Sequence, residues 1–192
     1  MTPGRSARCT ACGTGIEPGL DLGRMPLANG FLRAEDFASE RFFPLRMGIC
    51  PKCALAQLLD VVAPQDMFHD RYPFQTASSE RMRSHFRAFA RRVAASLADD
   101  SAFVVDIGSN DGTLLKPLAD AGFRHLGIDP CANVVEIARK SGVDSVCRFF
   151  DQATARDIVL EHGMADVVLA ANCLCHIPDL QSLGEGLRLL LK

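Results

Sequence analysis

The stretch FVVDIGSNDGTLL, residues 103–115, decides the fold of this chain. It begins with strand-forming residues, passes through Gly108 and Gly112, and ends in residues that suit a helix start. A buried strand followed by a glycine turn and a helix is the opening unit of a nucleotide-binding α/β domain. The ligand depends on the residues inside and after the turn.

Strand and helix patterns alternate from this unit onward. The predicted strands are residues 103–107, 125–128, 144–149 and 165–170, and the predicted helices are residues 113–121, 132–141, 153–161 and 180–191. Alternation of this kind predicts a Rossmann-like α/β domain, with a parallel sheet and helices on both of its faces.

The turn does not match the dinucleotide fingerprint G-x-G-x-x-G, in which the pyrophosphate approaches the backbone at the second glycine. Asn110 and Thr113 stand where the second and third glycines would be. Two acids are present instead, Asp106 at the end of the strand and Asp111 within the turn. Carboxylates here would repel a pyrophosphate, but they suit a ligand with an ammonium and a sulfonium group, which describes S-adenosylmethionine.

Further candidate cofactor residues follow the next two predicted strands. Asp129 ends the second strand, where a carboxylate can accept both hydroxyls of a ribose, and NAD would fit this residue equally well. Asp151 follows the third strand and can meet an adenine amino group. Phe149 or Phe150 can lie against the adenine ring, although both also suit the hydrophobic core.

The segment NCLCHIPD, residues 172–179, follows the fourth predicted strand. Ligands of open α/β sheets bind beyond the carboxyl ends of strands, so this loop, which begins with Asn172, should lie nearest the transferring methyl group. His176 could act there as an acid, a base or a substrate donor, or it could cap a helix. Cys173 and Cys175 with His176 lack a fourth ligand nearby, which argues against a second metal site.

Four cysteines form two CxxC pairs, Cys9 with Cys12 and Cys50 with Cys53. Two residues between the thiolates let both sulfurs point at one ion, and two such turns complete a tetrahedral Zn–S4 site. Redox-active or free dithiols are the alternative. Because four protein ligands leave no open position on the metal, the predicted zinc is structural. Apolar pieces beside the second pair predict short strands at residues 42–47 and 54–59.

Residues 61–100 form a predicted connector, rich in aromatic residues at its start and helical at its end. Tyr72, the only tyrosine in the chain, could be a packed aromatic residue or a polar group over the cofactor cleft. Ser78 or Ser79 can cap a helix over residues 80–98. An arginine row on this helix is expected to face water rather than a diphosphate.

Composition and charge limit the partners of the chain. It has 192 residues, of which 48% are hydrophobic, and a formal net charge of −2. A nearly neutral chain is not expected to bind nucleic acid or a membrane surface through bulk electrostatics. The N-terminus has no apolar signal core, and no apolar run reaches the roughly 18–20 residues of a membrane helix. These features predict a cytoplasmic protein.

Taken together, several segments resemble a known family. The two CxxC pairs, DLGRMPLANGFL, RYPFQTASSERMRSHF, VVDIGSNDGTLL and ANCLCHIPDL are similar to segments of the zinc-containing sugar C-methyltransferases. Those class I methyltransferases use S-adenosylmethionine to modify nucleotide-linked deoxysugars, and the resemblance covers essentially the whole chain. It implies a zinc-binding domain at residues 1–60, the connector, and a Rossmann-like cofactor domain at residues 101–192.

The resemblance also implies a mechanism and a set of site residues. A base removes the proton at C3 of a 4-keto sugar, the enolate is stabilised, and its carbon attacks the methyl group of S-adenosylmethionine. The implied residues beside the substrate are Tyr72 and His176. The residues expected to bind the cofactor, from the positions above and from the resemblance, are Asp106, Gly108, Asn110, Gly112, Asp129, Phe150, Asp151 and Asn172.

The chain departs from the family in its length. Members are about twice as long, and their second half supplies much of the sugar-nucleotide site, including residues proposed as the base. A class I sheet has seven strands, so we expect a truncated sheet whose fourth strand is an exposed edge that a homodimer could cover. The alternative to an enzyme is a zinc- and S-adenosylmethionine-binding remnant or regulatory module without turnover.

Overall fold

The structure, a computed structural model, describes residues 7–97 and 99–192. These residues divide into two units. The first unit holds the described residues up to Met67 together with Pro178–Gln181, and the second holds Phe68–Ile177 and Ser182–Lys192. Within the described ranges, no helix is both long enough and apolar enough to cross a membrane.

Short antiparallel strands make up most of the first unit. Its elements are β1 (Ala7–Arg8), β2 (Gly15–Ile16), β3 (Leu20–Pro26), β4 (Phe42–Ile49), β5 (Ala56–Leu58) and α1 (Pro64–Met67). β1 pairs with β2, while β3, β4 and β5 form an antiparallel sheet in that order. The strands predicted at residues 42–47 and 54–59 correspond to β4 and β5.

Little apolar surface is buried in the first unit. Its buried cluster consists of Cys9, Ile16 and Cys50. Every residue of β3 is exposed, and Phe31 has 71% of its surface in contact with water. Hydrophobic stabilisation scales with buried apolar area, at about 25 cal/mol per Å². Such a small core therefore provides little stabilisation of its own.

The second unit is built around a parallel sheet. Its strands are β6 (Phe103–Ile107), β7 (Arg124–Asp129), β8 (Ser145–Cys147) and β9 (Val167–Ala170). The helices that follow α1 along the chain are α2 (Glu80–Ser96), α3 (Lys116–Asp120), α4 (Ala132–Lys140), α5 (Gln152–His162) and α6 (Leu180–Leu190). The sheet order is β8-β7-β6-β9, and each neighbouring pair is parallel. Numbered within this unit the order is 3-2-1-4, that of a doubly wound fold.

β6 lies inside the sheet because both of its sides are paired. All five of its residues are buried, and Val104 belongs to a core cluster with Phe86 and Ala90 of α2 and Leu118 of α3. A parallel strand that is covered on both faces requires a continuous apolar run, which is what the sequence contains here. The segment that predicted the fold is therefore the centre of this unit.

The helix predicted over residues 113–121 begins later, at Lys116. The carboxylate of Asp111 accepts hydrogen bonds from the backbone N–H (3.2 Å) and the hydroxyl (2.6 Å) of Thr113. Gly112 has a φ of +78°, and a Cβ there would lie 3.1 Å from the Cβ of Val143. These constraints keep the chain in a turn that the periodicity of the sequence does not reveal.

β9 lies at one end of the sheet. Its partner strand in the described part of the chain is β6. Just before β9, Ala165 forms an isolated parallel bridge with Leu191. The backbone N–H of Ala165 donates to the carbonyl of Leu190 at 2.7 Å, and that of Lys192 donates to the carbonyl of Ala165 at 3.1 Å. That a homodimer covers this edge of the sheet stays a prediction.

Candidate metal centre and cofactor site

The four cysteines of the CxxC pairs meet in the first unit. Their sulfur atoms all lie within 4.8 Å of one another. The Sγ atoms of Cys9 and Cys53 are 3.5 Å apart, as are those of Cys12 and Cys50. Zn–S bonds of about 2.3 Å in a tetrahedron place sulfurs about 3.8 Å apart. The cluster therefore fits one zinc ion held by four thiolates.

Two tight turns bring the cysteines of each pair together. The backbone N–H of Gly13 donates to the carbonyl of Cys9 at 2.8 Å, and that of Ala54 donates to the carbonyl of Cys50 at 3.0 Å. Gly13 and Ala54 close these turns with φ values of +73° and +61°. A positive φ causes no steric clash in glycine, but it raises the conformational energy of alanine by about 1 kcal/mol.

Hydrogen bonds in these turns favour the thiolate form that binds zinc. Backbone N–H groups of Cys53 and Lys52 lower the pKa of the Cys50 thiol. Hydrogen bonding to Thr14 lowers the pKa of Cys12 to about 6. One thiol of each pair is thus prepared as a thiolate ligand, whereas hydrogen bonding to the Cys9 sulfur raises the pKa of Cys53 to about 12.

The carboxyl end of β6 forms the candidate cofactor site of the second unit. Gly108 has a φ of +72°, and its N–H donates to the carbonyl of Ile128 in β7 at 2.8 Å. A Cβ at this position would lie 2.5 Å from the Cβ of Cys173, in the segment that follows β9. Only glycine fits here, so the ends of β6, β7 and β9 can converge.

Two buried acids flank the glycine turn. Asp106 is 2% exposed, and its Oδ1 has no hydrogen-bond partner among the described residues. Burial, together with the charge of Asp129, raises the pKa of Asp106 to about 7. Burial also raises the pKa of Asp129, although its carboxylate accepts hydrogen bonds from the N–H groups of Asn110 (3.0 Å) and Cys131 (2.9 Å). An unpartnered buried carboxylate oxygen beside a second acid favours a cationic ligand.

Both carboxylate oxygens of the third acid in this region, Asp111, accept hydrogen bonds from other residues of the chain. Its Oδ2 accepts from the backbone N–H of Ala77 at 2.7 Å, while its Oδ1 accepts from Thr113. Repulsion of a pyrophosphate would therefore come from Asp106 and Asp129 and not from Asp111. Asp111 instead shapes the turn and holds the connector.

The two residues predicted to lie beside the substrate contact the same aromatic ring. The ring centroid of Phe68 is 5.8 Å from that of Tyr72 and 5.8 Å from that of His176. Burial raises the pKa of the Tyr72 phenol, and nearby Cys131 and Asp129 add to the effect. One region of the second unit therefore contains Tyr72, His176 and Asp129, the acid predicted to bind the ribose.

The residues predicted at the adenine ring have other contacts as well. Asp151 is the N-cap of α5, and its carboxylate accepts from the backbone N–H of Thr154 at 2.7 Å. Phe150 is 6% exposed, and a Cβ on Gly186 of α6 would lie 3.2 Å from its ring. Phe149 is 36% exposed, so it is the ring with more surface free to contact an adenine.

The loop after β9 contains Asn172, which was predicted to bind the cofactor, and Cys173, which was not. Asn172 is exposed and has a φ of +58°. The Sγ of Cys173 donates to the carbonyl of Ile107 at 2.8 Å, and burial raises the pKa of this thiol to about 12. Cys173 is thus a neutral packing residue against Gly108.

Two residues that contact this site carried no sequence signal. Ser109 is 4% exposed, and its Oγ has no hydrogen-bond partner among the described residues. A Cβ on Gly127 of β7 would lie 2.5 Å from that Oγ, so the two small residues fit together. Phe68 brings Tyr72 and His176 together, but a single phenylalanine in an irregular segment predicts no such role.

Comparison with known proteins identifies both parts of the chain. Residues 9–68 match the family model of a zinc binding domain, and residues 105–192 match that of a methyltransferase domain. The C-methyltransferase NovU of Streptomyces niveus is 34% identical over 190 residues, covering 95% of this chain and 44% of NovU. A ubiquinone biosynthesis O-methyltransferase of Haemophilus ducreyi is 32% identical over 95 residues, covering 46% of this chain and 40% of that protein. The chain therefore spans less than half the length of these relatives.

A solved structure gives a weaker match. The magnesium protoporphyrin IX methyltransferase from Synechocystis PCC 6803 with bound SAH is 20% identical, with a TM-score of 0.46, covering 57% of this chain and 52% of that one. A TM-score of this size supports no conclusion. The fold assignment rests instead on the strand order and on the matched domains.

The 3-2-1-4 parallel sheet and the methyltransferase domain define a class I methyltransferase fold, whose cofactor is S-adenosylmethionine. The zinc binding domain narrows the class further. The chain combines this zinc binding domain with a methyltransferase domain and is 34% identical over most of its length to a C-methyltransferase, a combination consistent with the zinc-containing, S-adenosylmethionine-dependent C-methyltransferases. The predicted zinc and S-adenosylmethionine are thereby confirmed, and the cysteine cluster and the buried acid pair fit them.

Proposed function

We propose that this chain binds S-adenosylmethionine at the carboxyl ends of β6 and β7 and serves C-methylation of a nucleotide-linked 4-keto-deoxysugar. The buried pair Asp106 and Asp129, beside a glycine turn, is the observation that carries this proposal. Two carboxyl groups in a desolvated position would repel a pyrophosphate, whereas they attract an ammonium or a sulfonium group. The similarity to a C-methyltransferase supports carbon as the methyl acceptor.

Different residues would hold different parts of the cofactor. Asp106 has a buried carboxylate oxygen that has no hydrogen-bond partner in the described part of the chain, which suits a cationic group. Asp129 would accept hydrogen bonds from the ribose hydroxyls. Its carboxylate has lone pairs left for them, because the two backbone N–H groups use only part of its acceptor capacity. Gly108 and Gly112 let the ligand approach the backbone. Asp151 at the start of α5 would meet the adenine.

Three further predicted residues would complete the cofactor site. Asn172 lies in the loop that follows β9, on the same edge of the sheet as the glycine turn. Asn110 contributes its backbone N–H to Asp129. Phe150 would support the adenine end from the core, with the more exposed Phe149 beside it.

The chain's own residues would manage the proton and the enolate. S-adenosylmethionine supplies an electrophilic methyl group when it is bound. Loss of the C3 proton of a 4-keto sugar to a base leaves an enolate, and C3 of that enolate is the nucleophile. A Tyr72 phenol with a raised pKa keeps its proton at neutral pH, so it suits donation to the enolate oxygen. His176, on the same Phe68 ring, would hold or transfer a proton.

Calorimetry tests the cofactor part of the proposal. We expect the zinc-loaded chain to bind one S-adenosylmethionine, and Asp129→Asn to weaken this binding because a neutral amide accepts ribose hydroxyls less strongly. The absence of binding at millimolar ligand would refute the proposal.

Turnover requires a separate measurement. The chain is incubated in D2O with methyl-labelled S-adenosylmethionine and a dTDP-4-keto-deoxysugar. Deuterium at C3 reports proton removal, and label in the sugar reports methyl transfer. Cofactor binding with neither signal would favour the alternative, a zinc- and S-adenosylmethionine-binding module without turnover.

A further inference from the structure

The side chain of Asn110 holds the connector against the cofactor turn. Its Oδ1 accepts hydrogen bonds from the backbone N–H (3.0 Å) and the hydroxyl (3.2 Å) of Thr76. Its Nδ2 donates to the backbone carbonyl of Phe74 at 3.1 Å. Both polar ends of this side chain are therefore occupied by residues 74–76.

Two neighbouring hydrogen bonds extend this contact. Oδ2 of Asp111 accepts from the backbone N–H of Ala77 at 2.7 Å. Nδ2 of Asn133 in α4 donates to the backbone carbonyl of Tyr72 at 2.9 Å. The connector is thus held through main-chain groups at several places in one short segment, which fixes its path independently of its side chains.

Asn110 also contacts the acid predicted to bind the ribose. Its backbone N–H donates to Oδ2 of Asp129 at 3.0 Å, and its φ is +52°. Asparagine tolerates this left-handed conformation better than most residues do. One residue therefore contacts the cofactor acid through its main chain and the connector through its side chain.

We infer that Asn110 is a positioning residue, whose side chain fastens the connector so that Tyr72 is held beside Phe68 and Asp129. Cofactor binding and the placement of Tyr72 are then coupled, and the coupling acts equally in both directions. This role differs from the cofactor contact expected from the sequence. The inferred role of Asn110 depends on the proposed function in one respect alone, which is that Tyr72 lies beside a substrate.

The composition of the chain supplies a specific probe. Tyr72 is the only tyrosine, and the chain has no tryptophan, so tyrosine fluorescence reports on this position alone. The variant Asn110→Gly removes both polar ends of the side chain and keeps a residue that accepts a positive φ. In the ligand-free chain, we expect this variant to lose the protection of Tyr72 from acrylamide quenching.

Titration with S-adenosylmethionine gives the second readout. In the wild-type chain, cofactor binding should further protect Tyr72 from quenching. In Asn110→Gly the affinity should fall about tenfold, equivalent to about 1.4 kcal/mol, because binding must now also order the connector. At saturation the connector is ordered again, so the protection of Tyr72 should return to the wild-type level and the gain in protection on binding should be larger than in the wild-type chain. A substitution that only lowers stability would leave both the ligand-free protection and the affinity unchanged.

Two further variants keep the test decisive. Thr76→Val removes one hydroxyl hydrogen bond to Asn110 but keeps the backbone one, so it should give an intermediate loss of protection, and it replaces Asn110→Gly if that variant does not fold. Ser96→Ala removes a side-chain hydrogen bond to Val93, 2.7 Å long, near the end of α2, and should change neither readout.

The outcomes separate this inference from the proposed function. Unchanged quenching of Tyr72 in folded Asn110→Gly, or in Thr76→Val if the glycine variant does not fold, would overturn the inference. Failure of the wild-type chain to bind S-adenosylmethionine would overturn the proposed function. The ligand-free comparison would still decide whether Asn110 positions Tyr72.

Discussion

At the scale of single residues, Asp106 shows how burial sets the chemistry of the candidate cofactor site. Its carboxyl group is 2% exposed, it lies near Asp129, and burial raises its pKa to about 7. In the ligand-free chain at lower pH the proton is retained, since a second negative charge in this desolvated position is costly. A cationic ligand would reverse that preference.

We expect the stability of the ligand-free chain to fall as pH rises from about 4 to about 7. The pKa of Asp106 is raised from 3.8 to about 7 in the folded state, so the folded chain holds a proton that the unfolded chain releases in this window. The stability that Asp106 contributes is therefore fully present below its pKa in the unfolded state, and it is lost as pH rises through its pKa in the folded state. The shift corresponds to at most about 4 kcal/mol. Denaturant unfolding at several pH values measures it.

The variant Asp106→Asn provides the control for this pH dependence. It has nearly the same shape but no titrating proton, so its stability should vary less across the same window. A slope equal to that of the wild-type chain would show that other groups cause the dependence. In the wild-type chain, the affinity for S-adenosylmethionine should rise with pH, since the cation favours ionised Asp106.

Glycine at position 108 is required by its close contact as well as by its backbone angle. We expect Gly108→Ala to destabilise the chain by about 2–4 kcal/mol, from left-handed strain and overpacking against Cys173. Gly122→Ala is the matched control, because Gly122 has a φ of +86° and a Cβ added there would meet no atom within 4 Å. It should cost about 1 kcal/mol. Equal losses in denaturant unfolding would contradict the role of the contact.

At the scale of elements, the sequence predicts what local patterns determine. The bounds of β6 were predicted correctly, because its apolar run ends at Gly108. The CxxC spacing likewise predicted the metal cluster. The late start of α3 was missed, since it depends on the hydrogen bonds that the Asp111 carboxylate accepts from Thr113. The contact between Asn110 and Thr76 joins residues 34 positions apart, and no local pattern predicts such a pairing.

The start of α5 allows a structural role of Asp151 to be separated from cofactor binding. Asp151→Ala should destabilise the chain by about 1 kcal/mol, because the N-cap hydrogen bond to Thr154 is lost. Asp151→Ser keeps a capping oxygen but removes the carboxylate. It should retain stability and bind S-adenosylmethionine more weakly, as thermal unfolding and calorimetry would show. Unchanged affinity in Asp151→Ser would leave this residue with the capping role alone.

At the scale of the whole molecule, the two units are stabilised in different ways. The second unit has an extended core in which β6, α2 and α3 pack together. The first unit has a buried cluster of Cys9, Ile16 and Cys50, two of which are metal ligands. Metal ligation contributes on the order of 10 kcal/mol in small zinc domains, which exceeds what this cluster can provide by burial.

We therefore expect removal of zinc to unfold the first unit and leave the second folded. A strong chelator should release one zinc per chain, and hydrogen exchange should then accelerate in β1–β5 while β6 stays protected. Cys50→Ser should abolish zinc binding and give the same exchange pattern without a chelator. Cys147→Ser is the matched control, because this cysteine is exposed and outside the cluster, so the variant should keep its zinc. Protection of β1–β5 that survives chelation would show that the apolar cluster suffices.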